Sequence, residues 1–237
     1  MKYQNSNELK GAARRKSQGF TLTELMVVIL IIVVLAALSF SGYKRMKSNA
    51  SAMVDMNDMR TVYSAINMYT ADNNGFLPTA FSGVGPEYYK GKKGLVNSIH
   101  PYLGVDEPED GHYFKELASE NFKKSTADGG PSMLIMQQVY SGRGEIENPS
   151  RPEPSILPFG YPTNHRAPMR WSAAISKMGN PSMRLMMTEN DSLHPNYNGS
   201  TPGWFDGLAD EMAHGSYRLG LYWDGRVGKL DINLNPR

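Results

Sequence analysis

The chain has 237 residues, with 25 Lys and Arg against 23 Asp and Glu, and it has no cysteine. The absence of cysteine excludes disulfide bonds, a zinc-thiolate site and a cysteine nucleophile. Five basic residues and one acidic residue lie in the first 19 positions, so the remainder holds 20 basic and 22 acidic residues. The basic excess is therefore confined to the N-terminus and does not indicate nucleic-acid binding.

An apolar segment of 21 residues runs from Phe20 to Phe40. As a helix it would be about 30 Å long, which matches the hydrocarbon core of a bilayer. Between Leu25 and Leu38 it contains no charge, glycine or proline. A buried core helix is the alternative, but a helix that is apolar all round would need protein on every side. The segment predicts a single membrane span.

The residues around the start of this segment carry a recognisable pattern, "KSQGFTLTEL" at 16–25. It resembles the processing site of type IV prepilins and type II secretion pseudopilins. The resemblance implies that a prepilin peptidase/N-methyltransferase cuts between Gly19 and Phe20 and methylates the new amine. It also implies that Glu24, the fifth mature residue, pairs with the amine of a neighbouring subunit. The partners so implied are other pilin or pseudopilin subunits, an inner-membrane assembly platform and membrane lipid.

A second interpretation concerns the end of the span, where Ala37-Leu38-Ser39 could serve as a signal-peptidase site. That cut would release a secreted domain, but its leader would be unusually long and would contain Glu24. The basic residues of the first 19 positions favour a cytoplasmic leader and an exported C-terminal part, whereas those of "YKRMK" just beyond the span weaken this asymmetry. The resemblance therefore decides the orientation: a single-pass protein of the inner (cytoplasmic) membrane with an extracytoplasmic domain, or one incorporated into a filament.

The helix is predicted to continue beyond the membrane. Apolar residues recur there at intervals of three and four, as on one face of a helix: Met56, Met59, Tyr63, Ile66 and Tyr69. Asn73-Asn74-Gly75 should end it, because Asn and Gly tolerate the left-handed conformation of a helix C-cap. The expected organisation is a cleaved leader at 1–19, a transmembrane half-helix at 20–42, a soluble half-helix at 43–74 and an exported globular domain at 75–237.

Three further stretches resemble a pseudopilin-like family marked by a histidine, nine residues and Asp-Gly. They are "MYTADNNGFLP" at 68–78, "NPSMRLMMTEND" at 180–191 and "HGSYRLGLYWDG" at 214–225. The chain departs from that family at Leu219 and Arg226, where an asparagine and a histidine are usual. The resemblance implies an α+β, pilin-like fold in which a long N-terminal helix packs on a C-terminal antiparallel sheet.

The Asp-Gly pair of this motif also has a direct physical interpretation. Asp224-Gly225 predicts a two-residue type I′ turn between the strands "YRLGLYW" and "RVGKLDI". In that register Arg218 would face Asp231, and Leu219 would face Leu230. Asp224 and Gly225 would then have structural roles.

His214 allows two interpretations, a metal ligand or a structural side chain hydrogen-bonded to a loop. Asp206, Asp210 and Glu211 lie nearby, and the resemblance to major pseudopilins allows calcium in a C-terminal loop. Their spacing lacks the alternation of a dedicated calcium loop. The structural role is favoured, no cofactor is predicted, and calcium is the alternative.

The sequence shows no phosphate-binding glycine loop, zinc-protease motif or serine nucleophile elbow, so no enzyme activity is predicted. The predicted function is that of a structural or accessory subunit of a type II secretion pseudopilus or a type IV pilus-like filament. The alternative is a membrane-anchored or secreted extracytoplasmic binding protein that does not polymerise. Six prolines at 148–168 exclude long regular elements from that part of the chain.

Overall fold

The computed structural model describes residues 20–81, 83–118, 133–135, 139–140, 155–161, 166–191, 193 and 211–231. Its longest element is helix α1, Leu22–Asp72, with 51 residues. The chain forms two compact units, Met1–Met46 and Lys47–Arg237.

In the first unit, α1 exposes apolar side chains all round its axis. The 18 residues Leu22–Ser39 have a mean hydropathy of 2.8, and none of them is buried by protein. This segment is long and apolar enough to cross a membrane. The hydroxyl of Ser39 donates to the carbonyl oxygen of Leu35 at 2.8 Å, so this polar group is satisfied within the helix itself.

In the second unit, α1 ends as the sequence predicts. Asn74 and Gly75 are both left-handed, with φ of 54° and 81°. The amide of Gly75 donates to the carbonyl oxygen of Thr70 at 2.8 Å, and that of Asn73 donates to Tyr69 at 2.9 Å. The hydrogen bond from Gly75 to Thr70 is that of a Schellman motif, which satisfies carbonyl groups at a helix end. The predicted C-cap is confirmed.

One face of the second half of α1 forms part of the core. Its buried apolar residues are Ala52, Met59, Val62, Ala65 and Ile66. Met56, Tyr63 and Tyr69 pack against the same core while remaining partly exposed. The predicted apolar face is confirmed.

The core is completed by an antiparallel sheet. The strands are β1 Gly83–Val84, β2 Met133–Ile135, β3 Val139–Tyr140, β4 Ser155–Ile156, β5 Leu185–Glu189, β6 Tyr217–Tyr222 and β7 Val227–Asp231. Five of them form one sheet in the order β1-β2-β5-β6-β7, and β3 pairs with β4. All paired neighbours are antiparallel, which confirms the α+β, pilin-like class.

Short helices connect these strands. Helix α2, Leu95–Ile99, is followed by a 3₁₀ turn at His100–Leu103, and a second 3₁₀ turn spans Lys115–Leu117. Helix α3, Trp171–Met178, was not predicted. A signal for it existed, because its buried residues Ala174 and Met178 are four positions apart, the spacing of one helix face.

The predicted register of the β6–β7 hairpin is wrong by one residue. Arg218 pairs with Leu230 and Leu219 pairs with Lys229, so Arg218 does not face Asp231. The cause is that the loop has three residues and not two. The amide of Gly225 donates to the carbonyl oxygen of Tyr222 at 3.0 Å, and Gly225 is left-handed, with a φ of 84°. A type I turn followed by a left-handed residue inserts one more residue than the expected type I′ turn.

Candidate functional site

The predicted processing site lies at the N-terminal end of the described chain. Phe20 is 83% exposed, and Gly19 lies outside the described residues. Glu24 occupies the first turn of α1 and is also exposed.

Glu24 forms a reciprocal hydrogen-bonded cap with Thr21. The amide of Thr21 donates to Glu24 Oε2 at 2.8 Å, and the amide of Glu24 donates to Thr21 Oγ1 at 3.2 Å. The Thr21 hydroxyl also donates to Glu24 Oε2, at 2.7 Å. This is a capping box, in which two otherwise unpaired amides at a helix start are satisfied. The Thr-x-x-Glu pattern could have revealed it, but sequence reasoning assigned Glu24 only an intersubunit role.

The second candidate site is a buried cluster of ionisable side chains. His214 Nε2 lies 3.1 Å from Glu189 Oε1 and 3.4 Å from Asp55 Oδ2. The three residues come from different elements: Asp55 from α1, Glu189 from the end of β5, and His214 from the segment before β6. All three are buried. Glu189 Oε2 accepts a hydrogen bond from the amide of Leu219 at 2.8 Å, which fixes the orientation of the carboxylate.

Burial and charge act in opposite directions on this cluster. Burial favours the neutral form of His214, but hydrogen bonds to Asp55 and Glu189 and the charges of both carboxylates prevail and raise its pKa to about 9. Desolvation raises the pKa of Glu189, although His214 and the amide of Leu219 oppose the shift. In the absence of another ligand, the cluster therefore holds a protonated His214 between acidic groups at neutral pH.

A second buried ion pair lies beside the first. Arg218 Nε donates to Asp191 Oδ2 at 2.6 Å, and Arg218 Nη2 donates to Asp191 Oδ1 at 2.7 Å. Such bidentate pairing matches the planar guanidinium to the carboxylate. Asp191 also accepts from the amide of Leu193 at 2.9 Å. The stretches "NPSMRLMMTEND" and "HGSYRLGLYWDG" thus meet through two acid-base contacts that sequence reasoning missed.

The Asp-Gly end of the motif lies against α1 as well. A β-carbon built on Gly225 would lie 2.6 Å from Cε1 of Tyr63, and the Tyr63 hydroxyl donates to the carbonyl oxygen of Trp223 at 3.3 Å. Asp224 Oδ1 accepts from the amide of Arg226 at 3.0 Å, inside the turn. The motif therefore contacts α1 at both ends: His214 at Asp55, and Gly225 at Tyr63, eight residues further along.

The two departures from the family pattern, Leu219 and Arg226, lie within the described residues. Leu219 is fully buried in the core, and Arg226 lies over the ring of Tyr222 at 3.7 Å, so both departures from the family pattern have defined packing. Of the acids considered for calcium, Glu211 is exposed, while Asp206 and Asp210 lie outside the described residues.

The arrangement is that of a protein with an apolar N-terminal helix and a helix-plus-sheet domain, and comparison with known proteins defines its class. Residues 14–40 match the family described as Prokaryotic N-terminal methylation motif. This stretch includes Gly19, Phe20 and Glu24 and the whole apolar segment from Phe20 to Phe40. The chain is therefore of the class of proteins that carry this N-terminal methylation motif.

Curated relatives define the family more closely. The chain is 31% identical over 110 residues to the type II secretion system core protein G of Aeromonas hydrophila, covering 45% of this chain and 68% of that protein. It is 36% identical over 66 residues to the protein of that name from Pseudomonas aeruginosa, covering 28% and 46%. For Escherichia coli the identity is 39% over 72 residues, covering 30% and 49%. The chain thus spans about half the length of the latter two. No solved structure matches the chain.

The chain belongs to the family of type II secretion system core protein G. It is accordingly a structural subunit of a type II secretion pseudopilus and not an enzyme. The N-methylation motif implies processing by a prepilin peptidase and assembly with other pseudopilins. The non-polymerising alternative is not favoured.

Proposed function

We propose that the mature chain begins at Phe20, is anchored by residues 20–42 in the inner membrane, and enters a pseudopilus through its apolar half-helix. The observation that carries the proposal is that the prepilin motif, at 14–40, includes an 18-residue apolar segment with no buried residue. An unburied apolar surface of that length requires either lipid or neighbouring helices. Membrane and filament would supply these two environments in turn.

Glu24 has the geometry to act between subunits. The hydrogen bonds of its carboxylate within the described residues all use Oε2, with Thr21 as the partner. Oε1 is therefore available to the Phe20 amine of an adjoining subunit. A carboxylate and an ammonium group that enter an apolar stack together avoid the cost of burying either one alone. The proposed role of Glu24 is to neutralise that amine during assembly.

Orientation and the remaining partners follow from the same scheme. The leader, residues 1–19, would remain cytoplasmic, where its basic residues favour retention, and the domain at 75–237 would be exported. A membrane-embedded assembly platform would then extract the subunit from lipid. Head-to-tail contacts between such subunits extend into an open filament when they do not close into a ring.

The N-terminal mass of the native protein tests the processing step. We expect a chain that starts at Phe20 and carries one additional methyl group. Gly19→Leu should leave an uncut precursor, whereas Gly11→Leu, a matched change elsewhere in the leader, should be processed normally. A native chain that starts at Phe40 would show cleavage by signal peptidase and would rule out this mechanism.

A further inference from the structure

The cluster of Asp55, Glu189 and His214 has the composition and spacing of a metal site. One ligand atom from each residue lies within 4.8 Å of the other two, and all three side chains are buried. The His214 nitrogen lies 3.1 and 3.4 Å from the two carboxylate oxygens. Metal–ligand bonds of about 2.0–2.1 Å in a tetrahedral zinc site separate the ligand atoms by roughly 3.3 Å. The two separations that involve His214 are therefore close to those of a zinc site. The two carboxylate oxygens lie within 4.8 Å of each other and would close around the ion.

The surroundings hold two of the three groups in place. The amide of Leu219 donates to Glu189 Oε2 and leaves Oε1 directed at His214. The ring of Tyr217 stacks on the imidazole, with centroids 5.3 Å apart and an angle of 24° between the planes. Neighbours that orient metal ligands in this way are a regular part of metal sites. The cluster is thus preorganised in the folded domain.

The donor set also suits a cation. Two carboxylates and one imidazole meet in a buried cluster, and both kinds of group are common ligands of divalent transition metals.

We propose that Asp55, Glu189 and His214 bind a divalent transition metal, represented by zinc, that joins α1 to β5 and to the segment before β6. An imidazole nitrogen with two carboxylates suits zinc, whereas calcium takes oxygen ligands. The proposed ligands are other residues than the acids considered for calcium, and the site does not depend on the filament function proposed above. Its role is structural, because it holds the C-terminal hairpin on the long helix.

Metal binding to the full chain tests the proposal. The protein would be extracted from membranes in mild detergent, without a polyhistidine tag, and stripped with a chelator. Zinc would then be titrated calorimetrically, and bound metal would be measured by mass spectrometry. We expect one zinc per chain, an upward shift of the unfolding midpoint with zinc, and no such shift with calcium.

Variants locate the bound ion. Asp55→Asn and Glu189→Gln preserve the size of each side chain but remove its charge, and His214→Gln removes the imidazole. Loss of a residue that only orients a metal ligand typically weakens metal affinity by about 10–100-fold. Because each of these variants removes a ligand itself, each should weaken zinc binding by more than that. His100→Gln is the matched control, because His100 Nδ1 contacts the carbonyl oxygen of Val105 and lies outside the cluster. This control should bind zinc like the wild type.

Three outcomes decide the matter. Stoichiometric binding that is lost in folded Asp55→Asn or Glu189→Gln, with far-UV circular dichroism as the check on folding, supports the site. If none of the cluster variants folds, x-ray absorption of the zinc-loaded wild type decides, since one nitrogen and at least two oxygen ligands are expected. A folded wild type that binds no zinc, or binding that persists in both carboxylate variants, overturns the proposal.

Discussion

Gly225 lies directly against the ring of Tyr63, so that a β-carbon built on it would approach Tyr63 Cε1 to 2.6 Å and Cζ to 3.0 Å. The same glycine has a φ of 84°. Two separate requirements therefore coincide at this position: a left-handed backbone and the close approach of a turn to a helix. They connect the β6–β7 hairpin to α1.

Gly225→Ala should lower the free energy of unfolding by more than backbone strain alone explains. A left-handed non-glycine residue costs about 1–2 kcal/mol, and overpacking against Tyr63 should add about 1–3 kcal/mol. Gly215→Ala is the control, because Gly215 also has a positive φ, 81°, but a β-carbon there meets nothing within 4 Å. Chemical unfolding followed by tryptophan fluorescence measures both. Equal losses for the two variants would show that the contact with Tyr63 is energetically unimportant.

Asp191→Asn should be strongly destabilising because it leaves the guanidinium of Arg218 buried without its counter-charge. Breaking a buried pair in this way costs about 3–5 kcal/mol. Glu116→Gln provides the comparison: Glu116 pairs with Lys115 at 4.0 Å, and the Lys115 side chain is 80% exposed. An exposed pair contributes about 0–1 kcal/mol. The same unfolding measurement applies, and similar losses for the two variants would contradict the assignment of Arg218–Asp191 as a buried stabilising pair.

The pH dependence of stability should reflect the protonation of His214 when the protein is free of metal. The folded-state pKa of about 9 exceeds the ordinary value of 6.5. The stabilisation from the protonated ring is therefore fully present below pH 6.5 and is lost as the pH rises through about 9. Unfolding midpoints of chelated protein between pH 6 and 10 should show this loss. His214→Gln should remove that part of the slope, and an unchanged slope would assign it to other groups.

The local features of the fold were predictable because their determinants are close together in sequence. The C-cap at Asn74 and Gly75 depends on residues that tolerate left-handed backbone, and the apolar face of α1 depends on helical spacing. The Thr21–Glu24 cap belongs to the same class, since four consecutive residues encode it. These interactions need no knowledge of the tertiary structure.

Other features depend on choices that the sequence leaves open. An Asp-Gly pair fits both a two-residue loop and a three-residue loop with a left-handed glycine, so it could not fix the register at Leu219 and Lys229. Asp55, Glu189 and His214 come together only when β6 pairs with β5 and the sheet packs on α1. Their separation in sequence gives no local signal, and for that reason the acids closest to His214 in sequence were considered in their place.

The structure allows the charge of Glu24 to be separated from its role as a helix cap. Glu24→Gln retains an acceptor for the Thr21 amide, because Gln also serves at this position of a capping box, whereas Glu24→Ala removes both acceptor and charge. Thr21→Ala is the converse control: it removes the hydroxyl contact, at a typical cost of about 0.5–2 kcal/mol for a lost cap, and keeps the carboxylate.

If the charge drives assembly, Glu24→Gln and Glu24→Ala should both insert, be processed and fail to polymerise, while Thr21→Ala should polymerise. Insertion should even improve by a few kcal/mol, since an intramembrane charge is removed. Assembly should fail because the Phe20 amine of an adjoining subunit would then be buried unpaired, at a cost of about 3–5 kcal/mol. Membrane fractionation and mature mass check the first expectation, and crosslinked or shear-released oligomers check the second. Normal oligomers from Glu24→Gln but not from Glu24→Ala would assign the effect to the cap, and normal oligomers from both would show that the carboxylate is dispensable.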